Sequence, residues 1–250
     1  MPVHDWTLVE TGIFHTFHTS WLPEIQRRLN DGLLPDGYYA LAEQHFGAAI
    51  ADVLTLHEGV TTRRLPWRPG GRRWRRRRRA RDANARSNPP HRCTELPRSS
   101  GHRLVALVEI VSPANKDRPQ TVSDFAAKVV AALDTGVHVL IVDLVPPGRF
   151  DPHGLVEPIA QRLARDDEPY DLPAEEPLTL ASYAAGPRIE AYVEHVAVGA
   201  ALPDMPLFLR PDRYVNVPLE ATYQSAYAGL PAFWRRVLET GKYDAKPGSS

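Results

Sequence analysis

RLVALVEIV, residues 103–111, and VHVLIVDLV, residues 137–145, are the two stretches that decide the fold. Each is an almost unbroken run of β-branched and aliphatic residues. Such runs suit strands buried on both faces rather than strands with one wet side. Between them, Val122–Leu133 has helical periodicity, with Ser123 as a candidate N-cap and Gly136 just past the end. Strand, helix and strand within about 40 residues make a βαβ unit, and its right-handed crossover makes the two strands parallel.

Working outward, Tyr38–Glu43 and Ala49–Leu56 read as two shorter strands. Upstream, residues 12–31 place Phe14, Phe17, Trp21, Ile25 and Leu29 three or four apart, the stripe of an amphipathic helix. Pro23 falls inside that stripe and is expected to end one short helix or start the next. Downstream, Leu155–Arg165 reads as a helix. Leu178–Ala184 and Arg188–Val198 read as a hairpin turning at Ala185-Gly186-Pro187. Pro206–Pro218 is extended, and Leu219–Leu238 is a closing helix with a kink at Pro231. The expected fold is α/β, a mixed central β-sheet flanked by helices, with a C-terminal hairpin and helix. It occupies residues 1–241 as a single domain, followed by a flexible tail at 242–250.

One segment does not belong to this pattern. The 250 residues carry 30 Lys+Arg and 30 Asp+Glu, a formal net charge of zero. Yet fifteen arginines lie between Arg63 and Arg103, with only Asp82 and Glu95 as acids there. The rest of the chain is therefore acidic, which argues against broad affinity for nucleic acid. Residues 59–100 lack helical or strand periodicity and are expected to be a disordered, Arg-rich insertion. Three readings of that window stand side by side. It is a solvated loop, or an arm that neutralises phosphates while Trp67 and Trp74 stack on bases, or the product of a shifted reading frame in GC-rich coding sequence.

The totals exclude several classes. No run approaches the roughly 18 apolar residues of a membrane span. Cys93 is the only cysteine, which leaves no internal disulfide and no multi-cysteine zinc site. No basic region followed by an apolar run opens the chain, so a cytoplasmic location is the expectation. No nucleophile elbow or phosphate-binding loop is present.

Acids inside apolar strands carry the chemical signal, because an unpaired buried charge is costly. Glu109 interrupts RLVALVEIV, Asp52 interrupts AIADVLTL, Asp143 interrupts VHVLIVDLV, and Glu43 ends the first short strand. If the strands at 38–43, 49–56 and 104–111 are neighbours, Glu43, Asp52 and Glu109 converge at one edge. Carboxylates gathered in this way beside a lysine suit a hard, oxygen-preferring cation such as Mg²⁺. The alternative is that these acids only bond to loops or pair with arginines. Four lysines occur in the chain, and Lys116 and Lys128 lie close in sequence to Glu109. His15 and His18, three apart on the first helix, share a face but are a weak metal signature.

The order FHTSWLPEIQRRLNDGLLPDGYYALAEQH, ADVLTLHEG, SGHRLVALVEIVSPANKDR and FAAKVVAALDTGVHVLIVDLVPPG resembles the bacterial family known as domain of unknown function 4058. The likeness covers most of residues 1–150, and the later helix from Tyr223 to Tyr227 fits it. More distantly, Asp-Val, then Val-Glu-Ile-x-Ser-Pro, then a lysine-bearing helix, then a strand ending in Asp resembles the Uma-type endonucleases. Their fold is that of the PD-(D/E)XK restriction endonucleases. That resemblance implies a restriction-endonuclease-like core that hydrolyses phosphodiesters with Mg²⁺. Asp52 and Glu109 would be its metal carboxylates, Glu43 an accessory acid, and nucleic acid its partner. The expected Glu-x-Lys is Glu109-Ile110-Val111 here, so Lys116 or Lys128 would have to supply the missing cation. The other function left open is a non-catalytic binding or assembly module on the same fold.

Overall fold

The computed structural model describes residues 3–46, 49–58, 102–164 and 170–243, without the side chains of residues 43–46, 49–51 and 164. The Arg-rich window at 59–100 and the tail beyond residue 243 lie outside the described residues.

A six-stranded mixed sheet forms the middle layer. Its strands are β1 (Tyr38–Phe46), β2 (Ala49–His57), β3 (Arg103–Ile110), β4 (His138–Asp143), β5 (Leu178–Ala184) and β6 (Glu190–Val196). They lie side by side in chain order. Every neighbouring pair is antiparallel except β3 and β4, which run parallel with Ala106 opposite His138. The two apolar runs are thus the adjacent central strands of a βαβ unit, each buried along nearly its whole length. β4 is shorter than the run 137–145, because the Asp143 carboxylate turns back to accept the Val145 N–H and closes the strand.

Side chains alternate across the sheet and feed two separate cores. One face gathers Val105, Ala106, Val108 and Ile110 with Phe14, Phe17, Trp21 and Ile25 of α1 (Thr11–Arg28) and Tyr223 of α4 (Leu219–Ala228). The other gathers Leu54, Leu107, Val111, Val139 and Ile141 with α2 (Pro119–Asp134) and α3 (Val156–Ala164). The result is three layers, helix on sheet on helix, with a core on either side.

The structure departs from the sequence reading in four places. Helix α1 runs straight through Pro23, which is exposed, so the Thr19 carbonyl it leaves unpaired can take its hydrogen bond from water. Helix α2 begins four residues before Ser123, with Pro119 at the first helical position, where its missing N–H costs nothing. Pro206–Pro218 is a hairpin, β7 (Met205–Arg210) and β8 (Arg213–Val217), packed on the α1 face. The closing helix is two, α4 and α5 (Ala232–Thr240), separated by Gly229-Leu230-Pro231.

Two further details fix α1 over the sheet. Asn30, just past α1, accepts the Ala40 N–H at 2.8 Å and donates to the Ala40 carbonyl at 3.0 Å. One side chain thereby pairs with β1 at the sheet's edge as a neighbouring strand would. The Trp21 indole donates to Thr222 Oγ1 at 2.9 Å, tying α1 to α4. On α4, Tyr223 is bonded to His4 Nδ1 at 2.8 Å and Tyr227 stacks on the His4 ring, so both tyrosines pack the chain's first segment onto the helix.

Candidate functional site

The β2–β3 ladder runs from His57 opposite Arg103 to Val53 opposite Val108, and stops there. One residue further along each strand stand Asp52 and Glu109. Beyond the last rung, the Ile110 N–H donates to Asp52 Oδ2 at 2.6 Å instead of to a strand carbonyl. A side chain has taken the place of the ladder, which opens a gap between the two strands and sets a carboxylate in it. On its other side β3 stays paired to β4 as far as Ile110 opposite Val142, so this end of β3 is held from one side only.

Both helical layers reach into this gap. From α1, His18 Nε2 lies 3.2 Å from Asp52 Oδ2. From α2, Lys128 Nζ lies 2.7 Å from Glu109 Oε2. Glu109 alternates with Leu107 and Val111 toward the α2 core, and Lys128 is carried on the helix that covers that core. A lysine of the covering helix thus meets the acid of the strand.

Burial orders the charges. The Glu109 side chain is 6% exposed and that of Lys128 24%. Loss of water pushes the Glu109 carboxyl up to about 7, against the pull of Lys128 and with added repulsion from Asp52. Its Oε1 is buried and has no hydrogen-bond partner among the described residues. A buried carboxylate oxygen with no donor is costly in a purely structural role. Near neutral pH, Glu109 therefore lies close to the balance point between a neutral acid and an anion.

Lys116 sits elsewhere. Its Nζ is 2.8 Å from Asp143 Oδ2, 2.9 Å from Asp151 Oδ2, and hydrogen-bonded to the Val145 carbonyl. All three side chains are buried. Asp143 adds the Val145 N–H and Asp151 the Gly148 N–H. This cluster fastens the loop after β4 to the turn after β3. The structure brings Asp52, Glu109 and Lys128 together and engages Lys116 with other acids. Glu43 lies on β1, and its side chain is outside the described residues. His18 was readable only as one of a pair three apart on a helix, and nothing in that spacing pointed to Asp52. His15 stacks on His18 at 6.4 Å between ring centroids.

Among the described residues, no group of three His, Cys, Asp or Glu side chains is arranged to hold a metal ion. Asp52 and Glu109 supply two carboxylates. Both contacts to Asp52 fall on Oδ2, leaving Oδ1 out of them, and Glu109 offers Oε1. Oxygen donors of this kind fit a hard divalent cation, which would complete its shell with water and phosphate oxygens. No described helix is long and apolar enough to cross a membrane.

Comparison with known proteins does not extend these observations. No protein-family model matches the chain, and neither a search of curated proteins nor one of solved structures found a match.

Proposed function

We propose that this chain is a metal-dependent phosphodiesterase with a restriction-endonuclease-like core, acting on nucleic acid at the gap between β2 and β3. The observation that carries the reading is the buried Glu109 carboxyl, paired with Lys128 through Oε2, close enough to Asp52 to be repelled by it, and with Oε1 unpartnered. The topology agrees with it: helix, three antiparallel strands, helix and a parallel strand, with the acids on the second and third strands. The motif order behind the resemblance to Uma-type endonucleases, an Asp on one strand, a Glu on the next, a lysine-bearing helix and a strand ending in Asp, falls on these elements, with the lysine on the helix.

In this reading Asp52 and Glu109 would hold Mg²⁺, which when bound would lower the pKa of a water and stabilise negative charge on a phosphate. Lys128, partly exposed, pairs with Glu109 and favours its anion against the effect of burial. With a cation bound beside Glu109, Lys128 would be the residue placed to offset charge on a phosphate. Ile110 N–H fixes the direction of Asp52 at 2.6 Å.

A second reading has its own observation. The Lys128–Glu109 pair at 2.7 Å already compensates the buried acid, as a non-catalytic binding or assembly module of this fold would require. A cleavage assay separates the two. DNA and RNA, single- and double-stranded, are incubated with Mg²⁺ or Mn²⁺ and either wild type or Glu109→Ala. Divalent-dependent cleavage by wild type that is lost in the variant supports the enzyme. Absence of any difference between them, with and without metal, supports the binding module.

A further inference from the structure

We infer that His18 is a positioning residue that aims the Asp52 carboxylate into the gap between β2 and β3, an inference that rests on the metal-site reading above. An aspartate has few bonds to fix, but its terminal torsion is broad, so the carboxylate turns freely unless both directions are held. Asp52 stands beyond the last rung of the β2–β3 ladder, while its backbone stays paired to β1 between Ala42–Val53 and Gln44–Ala51. Two groups hold its carboxylate. The Ile110 N–H approaches Oδ2 from β3 at 2.6 Å, and His18 Nε2 approaches the same oxygen from α1 at 3.2 Å. Because the partner is a carboxylate oxygen, Nε2 must carry the proton.

Both restraints on one oxygen have a consequence for the other. With Oδ2 pinned from the strand and from the helix, Oδ1 has a fixed direction. The two restraints come from different layers of the fold, so α1 is coupled to the end of β3 through a single carboxylate. His18 is itself held: its side chain is 13% exposed, and its ring stacks on Phe14, a core residue of the same helix. Partners that orient a metal-binding carboxylate or imidazole without touching the metal are general features of metal sites. Losing one costs about 10- to 100-fold in metal affinity.

The experiment uses the full chain and two independent readouts. The first is amide hydrogen exchange at Ile110, whose N–H is bonded to Asp52. The neighbouring Val111 N–H, bonded to the Val142 carbonyl at 2.9 Å, is the internal control. The second is Mn²⁺ affinity, followed by the spin-resonance signal of free Mn²⁺. His18→Ala is expected to speed exchange at Ile110 by about tenfold while leaving Val111 near its wild-type rate. It is also expected to weaken Mn²⁺ binding by about tenfold or more. His18→Gln places an N–H donor near the position of Nε2 and is expected to restore both. Unchanged exchange at Ile110 in His18→Ala overturns the inference. So does faster exchange at Ile110 and Val111 alike that Gln fails to restore, which marks a role in general packing. So does selective exchange at Ile110 with unchanged affinity in a wild type that binds Mn²⁺. If wild type and Asp52→Asn bind Mn²⁺ equally poorly, the metal site itself fails. The positioning of Asp52 by His18 is then decided by exchange alone.

Discussion

Two clusters in this molecule are made of the same parts, a lysine and two carboxylates beside the central strands, and they are finished differently. Around Lys116, one ammonium is closed in by Asp143, Asp151 and a backbone carbonyl, with the lysine side chain 5% exposed. Backbone N–H groups take up further carboxylate oxygens, and Asp151 Oδ2, without a hydrogen bond of its own, is compensated by the ammonium at 2.9 Å. Around Glu109, the Lys128 side chain is 24% exposed, and a buried carboxylate oxygen stays without a partner. Satisfied networks rigidify a fold, whereas an incompletely satisfied one carries a cost that function can explain. The first cluster is a clasp between two loops. The second has capacity left for a ligand.

The sharpest way to break this comparison is to remove each lysine in turn. Lys116→Met strands two buried carboxylates and a buried carbonyl. It is expected to cost about 3–5 kcal/mol, the range for breaking a buried ion pair from one side. Lys128→Met leaves one carboxyl that burial already disposes to stay protonated, and the removed ammonium was partly hydrated. Its cost is expected to be about 1 kcal/mol or less. Denaturant midpoints for the two variants at pH 7, with slopes checked for constancy, measure the difference. Equal losses would mean that both lysines are structural and would remove the distinction on which the site assignment rests.

The sequence made some of this legible and hid the rest for physical reasons. RLVALVEIV and VHVLIVDLV could be read because a strand covered on both faces has no polar side to show, and the parallel ladder from Ala106–His138 to Ile110–Val142 follows from that. Asp52 and Glu109 stood out because charge is rare in such runs. Which lysine reaches Glu109 was not readable. That depends on which core face Glu109 enters and which helix covers that face, both settled by three-dimensional packing. The β7–β8 hairpin was obscured by Pro206, Pro211 and Pro218. A proline is tolerated in a two-stranded ribbon wherever its nitrogen faces away from the partner strand. Pro23 misled in the same way, since its cost in a helix depends on whether the freed carbonyl meets water. His18 could not have been assigned from spacing, because its partner lies on a strand 34 residues away.

A smaller effect of opposite sign sharpens the comparison from the side of the acid. The Glu109 carboxyl is raised from 4.5 to about 7 in the folded protein, first by desolvation. Below pH 4.5 the folded and unfolded chains both hold this proton. Between about 4.5 and 7 the unfolded chain gives it up while the folded one retains it, so this group's contribution to stability falls as pH rises through the window. Above about pH 7 both are ionised and the loss is complete. Glu109→Gln has no proton to lose, and its side-chain carbonyl can still accept from Lys128. It is therefore expected to match wild type near pH 4 and to exceed it at pH 8 by about 1–3 kcal/mol, since one pKa unit is worth about 1.4 kcal/mol. At this chain length, each kcal/mol raises the melting temperature by about 2–4 °C. Asp143, raised to about 6 by burial, contributes the same sign over a lower window, from 3.8 to about 6, in both proteins. It cancels when the two melting curves are subtracted. A variant that gains stability while losing metal-dependent cleavage would show that the fold bears a cost at Glu109 for its chemistry. A variant less stable than wild type at pH 8 would make the Lys128–Glu109 pair a structural clasp like the one at Lys116.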